Sequence, residues 1–336
     1  MPMHNAYSDA LDALLRDCCT PATVRTLEQE ADPQPLWQAL RESGFADCLL
    51  PESAGGAALA LRELAPVLFV TGRHAMPLPL AQTIFARALL HACDVALPDG
   101  PIALASFDDG AAATLVADAR HAQWFLLQDG ERCLLLPAAA ARAEATGAHG
   151  DLTLRVPRPD ATATATAACL LPAGTMRTLG ACLHAAQLAG ALSHVLDLTL
   201  QYANDRQQFG RAIGKFQAIQ HQVSEMAEHV AAARVAAQLA CDSDGATPDR
   251  LRVAIGKLRA SDAVTPVAAI AHAVHGAIGI TEEYDLQLYT RRLHAWRVAD
   301  GSERWWSRVL GEAVCASPER NAVELVRGWC EPSPAG

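Results

Sequence analysis

Apolar positions recur at helical spacing at both ends of the chain and in short runs in its middle. Between residues 7 and 50, Leu11, Leu14 and Leu15, then Leu36 and Leu40, repeat at helix-face intervals, with Pro21, Pro33 and Pro35 as breaks. Pro51-Glu52-Ser53-Ala54-Gly55-Gly56 reads as a turn, and helix returns over 59–92 with an interruption at Pro77–Pro79. From Pro98-Asp99-Gly100-Pro101 the texture changes. Short apolar runs at 101–107, 114–118, 123–128, 132–137 and 152–156 are separated by Asp108-Asp109-Gly110 and Asp129-Gly130, which predicts a small β domain. The run ATATATAAC at 161–169 reads as an exposed connection.

Helix resumes near Thr175. In 183–203, Leu188, Leu192, Val195, Thr199 and Tyr202 form one stripe, with Gln187, His194, Asp197 and Gln201 on another side. In 217–239, Ile219, Val223, Met226, Val230, Ala233 and Ala237 alternate steps of four and three, a bundle-seam pattern. CDSDGATP at 241–248 separates this helix from another ending near His275-Gly276, and Pro266 inside that helix predicts a kink or break. The expected fold is mainly α with a small middle β domain. It comprises an N-terminal helical domain (1–98), a reduced, β-barrel-like middle domain (99–174) and a C-terminal four-helix bundle (175–330).

Composition narrows the function classes. With 336 residues, 51% hydrophobic and only 5% aromatic, the core must rest on Ala, Leu and Val. A net charge of −10 argues against a nucleic-acid partner, because such binding depends on Lys and Arg neutralising phosphates. The ten cysteines form no CxxC, so reduced, packed thiols and a cytoplasmic location are expected. The N-terminal MPMHNAYSDALDALLRD lacks the pattern of a secretory signal. Polar residues interrupt 181–203, so no membrane span is expected there.

Most motif candidates fail on spacing. GRAIGKF (210–216) has too short a spacer for a phosphate loop and Phe216 after the lysine. No GxGxxG follows a predicted strand, and no GxSxG occurs. His272 and His275 supply only two neighbouring ligands, so no metal site is expected and they read as helix-end histidines. WRVADGSERWW (296–306), taken alone, is a turn around Asp300-Gly301, with Trp305 and Trp306 as packing residues. YANDRQQFGRAIGKFQAIQ (202–220) is a helical hairpin whose tip offers Arg206 to an anion.

That hairpin resembles the signature of acyl-CoA dehydrogenases, FAD-dependent α,β-desaturases of acyl thioesters: Tyr-Ala-x-x-Arg-x-x-Phe-Gly, then Phe-Gln-x-x-Gln. PESAGG (51–56) is similar to the family's Pro-Glu-x-x-Gly-Gly, and HAVHGAIGITEEY (272–284) to its Gly-Gly-x-Gly-Phe-x-x-Glu-Tyr. An ungapped reading onward sets Asp300-Gly301-Ser302 on the family's catalytic Glu-Gly-Thr. The resemblance implies FAD at a subunit interface, with Arg206 on the pyrophosphate of the neighbouring subunit's flavin. Phe209, Gln217, Gly276 and Ser302 would line the cofactor, and Gly301 would permit close approach. Asp300 would take the α-proton of an acyl-CoA while a hydride leaves Cβ for the flavin, and an electron-transfer acceptor would then reoxidise it.

The departures are specific. Asp300 is shorter than the family's Glu, and Glu303, one turn on, would point elsewhere. Gly180 stands where some members carry the base on an earlier helix. Ala273 replaces a family Gln, and the middle domain lacks the segments that hold the flavin ring. Such losses resemble the short subunits of α2β2 dehydrogenases, which often act on bulky acyl-CoAs. The implied assembly is a homodimer, a homotetramer, or a heterotetramer with a full-length acyl-CoA dehydrogenase subunit. The alternatives are a structural subunit without chemistry of its own and an unrelated helical binding protein.

Overall fold

The N-terminal helices begin where a side chain or a proline relieves the unpaired first-turn amides. In the computed structural model, which describes residues 4–29, 31–159, 165–319 and 321–330, α1 (Ala6–Cys18) is capped reciprocally by Asn5 and Ser8. Thr20 caps α2 (Pro21–Glu28), with Pro21 at its start. Pro33 and Pro35 open α3 (Gln34–Glu42). The three prolines expected as breaks therefore sit at helix starts, where a missing N–H costs nothing. A short turn at Glu52–Ala54 ends on Gly55 at φ 81°. Helices α4 (Leu61–Arg73) and α5 (Leu80–Ala92) follow, divided at Pro77–Pro79.

The middle segment forms two small sheets. One holds β1 (Ile102–Ser106), β3 (Trp124–Asp129), β4 (Arg132–Pro137) and β7 (Ala167–Leu170), in that order. The other holds β2 (Ala113–Val116), β6 (Leu154–Pro157) and β5 (Glu144–Ala145). Phe125, Leu127, Leu136, Val116 and Val156 fill a core of their own. Strand β7 corrects part of the expected connection at 161–169. Its alanines carry no strand pattern, yet the backbone pairs with β4, setting Cys133 opposite Cys169. Residues 161–164, the start of that run, lie outside the described residues.

The C-terminal half is helical. Helix α6 (Thr175–Asp205) ends in a two-stranded tip, β8 (Gln207–Gln208) and β9 (Arg211–Ala212), from which α7 (Gln217–Ala240) returns. Helices α8 (Arg250–His275), α9 (Leu286–Val298), α10 (Glu303–Ala316) and α11 (Ala322–Cys330) complete the chain. Helices α6, α7 and α8 pack on one another, α10 packs on α8, and α9 lies across α6 and α8. Helix α8 runs through Pro266 as one helix, so the expected break does not form. Packing against α6, α7 and α10 outweighs the single lost amide donor.

Nearly every residue of α6 from Leu179 to Ser193 is buried, Gln187 included, although the sequence pattern set Gln187 on a polar side. Its side chain reaches Thr71 Oγ1 at 3.3 Å on α4. By length and composition α6 and the stretch Arg250–Ile280 could each cross a membrane, but here α6 is the central core helix. Two glycines bring α4 and α6 into backbone contact. A Cβ on Gly72 would lie 2.0 Å from Gln187 O, and one on Gly190 2.0 Å from Phe69 O. The N-terminal helices and the bundle consequently share one hydrophobic core.

Gly190→Ala forces this crossing apart and should destabilise the protein by about 1–3 kcal/mol, read from urea unfolding midpoints. Gly311→Ala is the control: Gly311 lies exposed in α10 with no atom near an added Cβ. That change should stabilise by roughly 0.5–1 kcal/mol.

Candidate active site

Between the small sheets and the bundle lies a cavity of about 800 Å³. Strands β1 and β2 and the 146–153 segment form one side, and α6, α9 and the 299–302 turn form the other. Leu104, Leu115, Val116, Val298 and Trp305 give the cavity apolar surface, and polar or charged groups that include His184, Arg177, Arg292, Asp300 and Ser302 share its lining.

The turn is tightly specified. Asp300 adopts φ +52° and Gly301 φ +105°. Aspartate tolerates the left-handed region better than most residues, and the value at Gly301 is one that glycine adopts without strain. A Cβ on Gly301 would lie 2.7 Å from Trp306 Nε1. The requirement for glycine thus arises inside the chain. Trp306, fully buried, donates from Nε1 to Asp300 O at 3.1 Å.

Beneath the turn sits Lys257, 0% exposed. Its Nζ donates to Arg297 O at 2.7 Å, Gly301 O at 3.1 Å and Ser261 Oγ at 3.1 Å. These three acceptors match the three N–H bonds of an ammonium. The bonds tie α8 to the end of α9 and to the turn. Burial pushes the Lys257 pKa down from 10.5 to about 7, while nearby Asp300 and Glu303 act to raise it. Glu303 pairs with Arg297 and so points away from the turn, as its sequence position suggested.

The Asp300 carboxylate lies against α6 at Gly180. A Cβ on Gly180 would sit 2.2 Å from Asp300 Oδ2 and 2.3 Å from its Cγ. The space over the earlier-helix position is therefore filled by the side chain of Asp300. One turn further along α6, the buried His184 sets Nδ1 3.0 Å from Asp300 Oδ2. That is ion-pair distance, although neither ring nitrogen of His184 meets hydrogen-bond geometry with a described group. A second buried carboxylate, Asp118, accepts from Trp296 Nε1 at 2.7 Å. Burial raises the Asp118 pKa, opposed chiefly by Arg292 and then by His184. Arg292 pairs in turn with Glu28 at 3.1 Å.

The expected site residues fall in two places. Asp300, Gly301 and Ser302 line the cavity. Arg206, Phe209 and Gln217 lie outside it, on the hairpin at the far end of α6. From Gly180 to Arg206 the helix spans roughly 39 Å at 1.5 Å per residue. Arg206 and Gln217 are exposed, and Phe209 is 91% exposed at φ +52°. Gly276, at φ +63° after α8, belongs to the same end of the bundle, where His275 stacks on Tyr202 at 4.5 Å. His272 and His275 bond Thr290 Oγ1, Ala271 O and Tyr284 Oη rather than each other's surroundings. Among the described residues no group of three or more His, Cys, Asp or Glu suits a metal.

Sequence reasoning missed His184, Lys257 and the seat at Gly180. Two signals were present. His184 follows Gly180 by four residues on one helix face, and Lys257 interrupts the buried face of an Ala/Val-rich helix.

Residues 175–314 match the family described as acyl-CoA dehydrogenase, C-terminal domain. The chain is 34% identical to acyl-CoA dehydrogenase IpdE2 of Mycolicibacterium smegmatis over 85% of this chain and 90% of that protein. It is 33% identical to IpdE2 of Mycobacterium tuberculosis over 89% and 93%. The fold superposes on a chain of the ChsE4–ChsE5 complex from Mycobacterium tuberculosis with a TM-score of 0.82 at 20% identity, covering 95% of this chain and 100% of that one.

The Lys257 clamp has a pH signature. Below about pH 7 both folded and unfolded chains carry the charge, and the folded state bears its desolvation cost. Between about pH 7 and 10.5 the unfolded chain binds more protons at this site, so its contribution to stability rises with pH. In urea unfolding at successive pH values, wild type should therefore gain on Lys257→Met across that window. The gain is at most about 1.4 kcal/mol per pH unit for one proton.

Proposed function

Since the chain belongs to the acyl-CoA dehydrogenase family, oxidoreductases acting on CH–CH groups, we propose that it catalyses FAD-dependent α,β-dehydrogenation of an acyl-CoA with Asp300 as the base. The observation that carries this reading is the placement of Asp300: its carboxylate lines a ligand-sized cavity on a turn clamped from below by Lys257 and from the side by Trp306. A base must first meet geometry, and this turn leaves the backbone of Asp300 little freedom.

The cavity suits a flavin ring beside a thioester. Its volume is at the upper end of ligand pockets, and its walls combine apolar side chains with hydroxyl, imidazole, guanidinium and carboxylate groups. Ser302, whose hydroxyl is not used to cap α10, is the side chain proposed to contact the ring. When bound, FAD accepts the hydride that leaves Cβ. Asp300 takes the α-proton. Walls from β1, β2 and α9 exclude water from the acyl group and strengthen every charge interaction inside.

The pyrophosphate end calls for a second chain. Arg206 follows the C-terminal end of α6 and lies outside the cavity, whereas Asp300 is seated at Gly180 near the start of that helix, an arrangement that favours FAD shared between two chains. We propose that Arg206, Phe209, Gln217 and Gly276 serve the cofactor of a neighbouring subunit, in a heterotetramer with a full-length partner. The two-component make-up of the ChsE4–ChsE5 complex supports that assembly. A planar guanidinium suits a pyrophosphate because it donates two bonds at once.

Two measurements test these assignments. In the assembled, FAD-loaded complex, Asp300→Asn should lower kcat/KM about 10²–10⁴-fold with assembly intact. Asp300→Glu should not surpass wild type, since a longer side chain would move the carboxylate from its seat at Gly180. An unchanged rate in Asp300→Asn assigns the chain a structural role. Separately, Arg206→Ala should reduce the flavin absorbance retained per complex after gel filtration, whereas Asp300→Asn should retain it in full.

A further inference from the structure

The base proposed above is a short side chain, and a backbone clamp alone does not orient its carboxylate. Rotation about the side-chain bonds of Asp300 would swing the oxygens by more than the distance that matters for proton transfer. Three features meet at this carboxylate. Gly180 provides a bare stretch of helix on which it rests. His184, four residues on and 1% exposed, faces Oδ2 at 3.0 Å. Both ring nitrogens of His184 are buried without an aligned partner, an unusual condition for an imidazole and costly unless something is gained. Asp300 Oδ2 is the acceptor within reach of Nδ1, and Asp118 is the other carboxylate whose field the ring feels.

We infer that His184 is a positioning residue for the reaction: it engages Asp300 Oδ2, keeps the carboxylate seated on Gly180, and so assigns proton acceptance to Oδ1. The inference rests on the reading of Asp300 as base. In the step concerned the Cα–H bond breaks and an Oδ1–H bond forms. The electron pair left on Cα delocalises onto the thioester oxygen. His184 exchanges no proton with substrate. Its part is to fix which oxygen faces the acyl group.

The test uses the assembled complex and 3-thiaoctanoyl-CoA, which has no β-hydrogen to lose, so that exchange of its α-hydrogens with D₂O reports proton abstraction alone. His184→Leu removes the donor, and His184→Asn keeps an N–H near the position of Nδ1. The leucine variant should exchange about 10²-fold more slowly, as expected for a displacement of about 1 Å. The asparagine variant should recover most of the rate, with probe affinity the same in both. A purely structural role would instead lower both variants alike, or follow thermal stability. If the leucine variant does not assemble, His184→Gln, which shifts the donor outward, takes its place.

Crystal structures of the variants provide a second measurement that needs no turnover of this probe. The carboxylate should leave Gly180 in the leucine variant and stay in the asparagine variant, and a carboxylate unmoved by leucine overturns the inference. Asp300→Asn separates the two levels. Exchange that persists in that variant removes the base itself. Exchange abolished there but unaltered in His184→Leu leaves Asp300 as base and removes the role of His184.

Discussion

Close approach to one buried helix governs where the other parts of this molecule can sit. Helix α6 is covered on all sides over most of its length, and glycines mark the places where something comes nearest. At Gly72 and Gly190 the partner is α4, backbone against backbone. At Gly180 the partner is the Asp300 carboxylate. The same helix also carries His184 and ends in the hairpin that bears Arg206. Domain contact, seating of the carboxylate and presentation of the hairpin are therefore not independent. A displacement of α6 would be felt at all three.

The second organising element is electrostatic. An ammonium with no solvent exposure is expensive, and Lys257 offsets that cost by filling three acceptors, two of them carbonyls at the end of α9 and in the following turn. Carbonyls at a helix C-terminus carry partial negative charge, so the arrangement suits a cation. Gly301 and Trp306 complete it, since the indole nitrogen reaches Asp300 O only because Gly301 has no side chain. The left-handed conformation of Asp300 is held from both sides, and a strained residue persists only where its surroundings over-determine it. A further buried set, Glu28 with Arg292 and Asp118 with Trp296, joins the N-terminal helices and the small sheets to α9. The cavity wall is thereby built from all parts of the chain.

The proposed function turns on the separation of two groups of residues. A single chain has Asp300 seated near the start of α6 and the hairpin bearing Arg206 beyond its end, which makes a shared site between subunits the economical arrangement. The short side chain at position 300 no longer reads simply as a loss. An aspartate with an imidazole beside it occupies the space that Gly180 leaves open, and a side chain at position 180 would meet its carboxylate.

The sequence by itself determined the order helix, sheet, helix. Periodicity of apolar residues and turn dipeptides are local signals, legible without knowing what packs where. It also placed the hairpin at 202–220 and aligned Asp300-Gly301-Ser302 with a known motif, because both are contiguous segments. Pro266 and β7 escaped local reading for one reason: packing on α8 and pairing with β4 outvoted local preference. Only the tertiary structure decided what surrounds Asp300. Gly180 is 120 residues from it, Lys257 43 and His184 116. A glycine in a helix, a lysine among alanines and a histidine on an apolar face each look unremarkable alone. They acquire meaning when folding brings them within 3 Å or so of one carboxylate and its turn, because hydrogen bonds, ion pairs and steric contacts act over distances in space that the chain's order does not record.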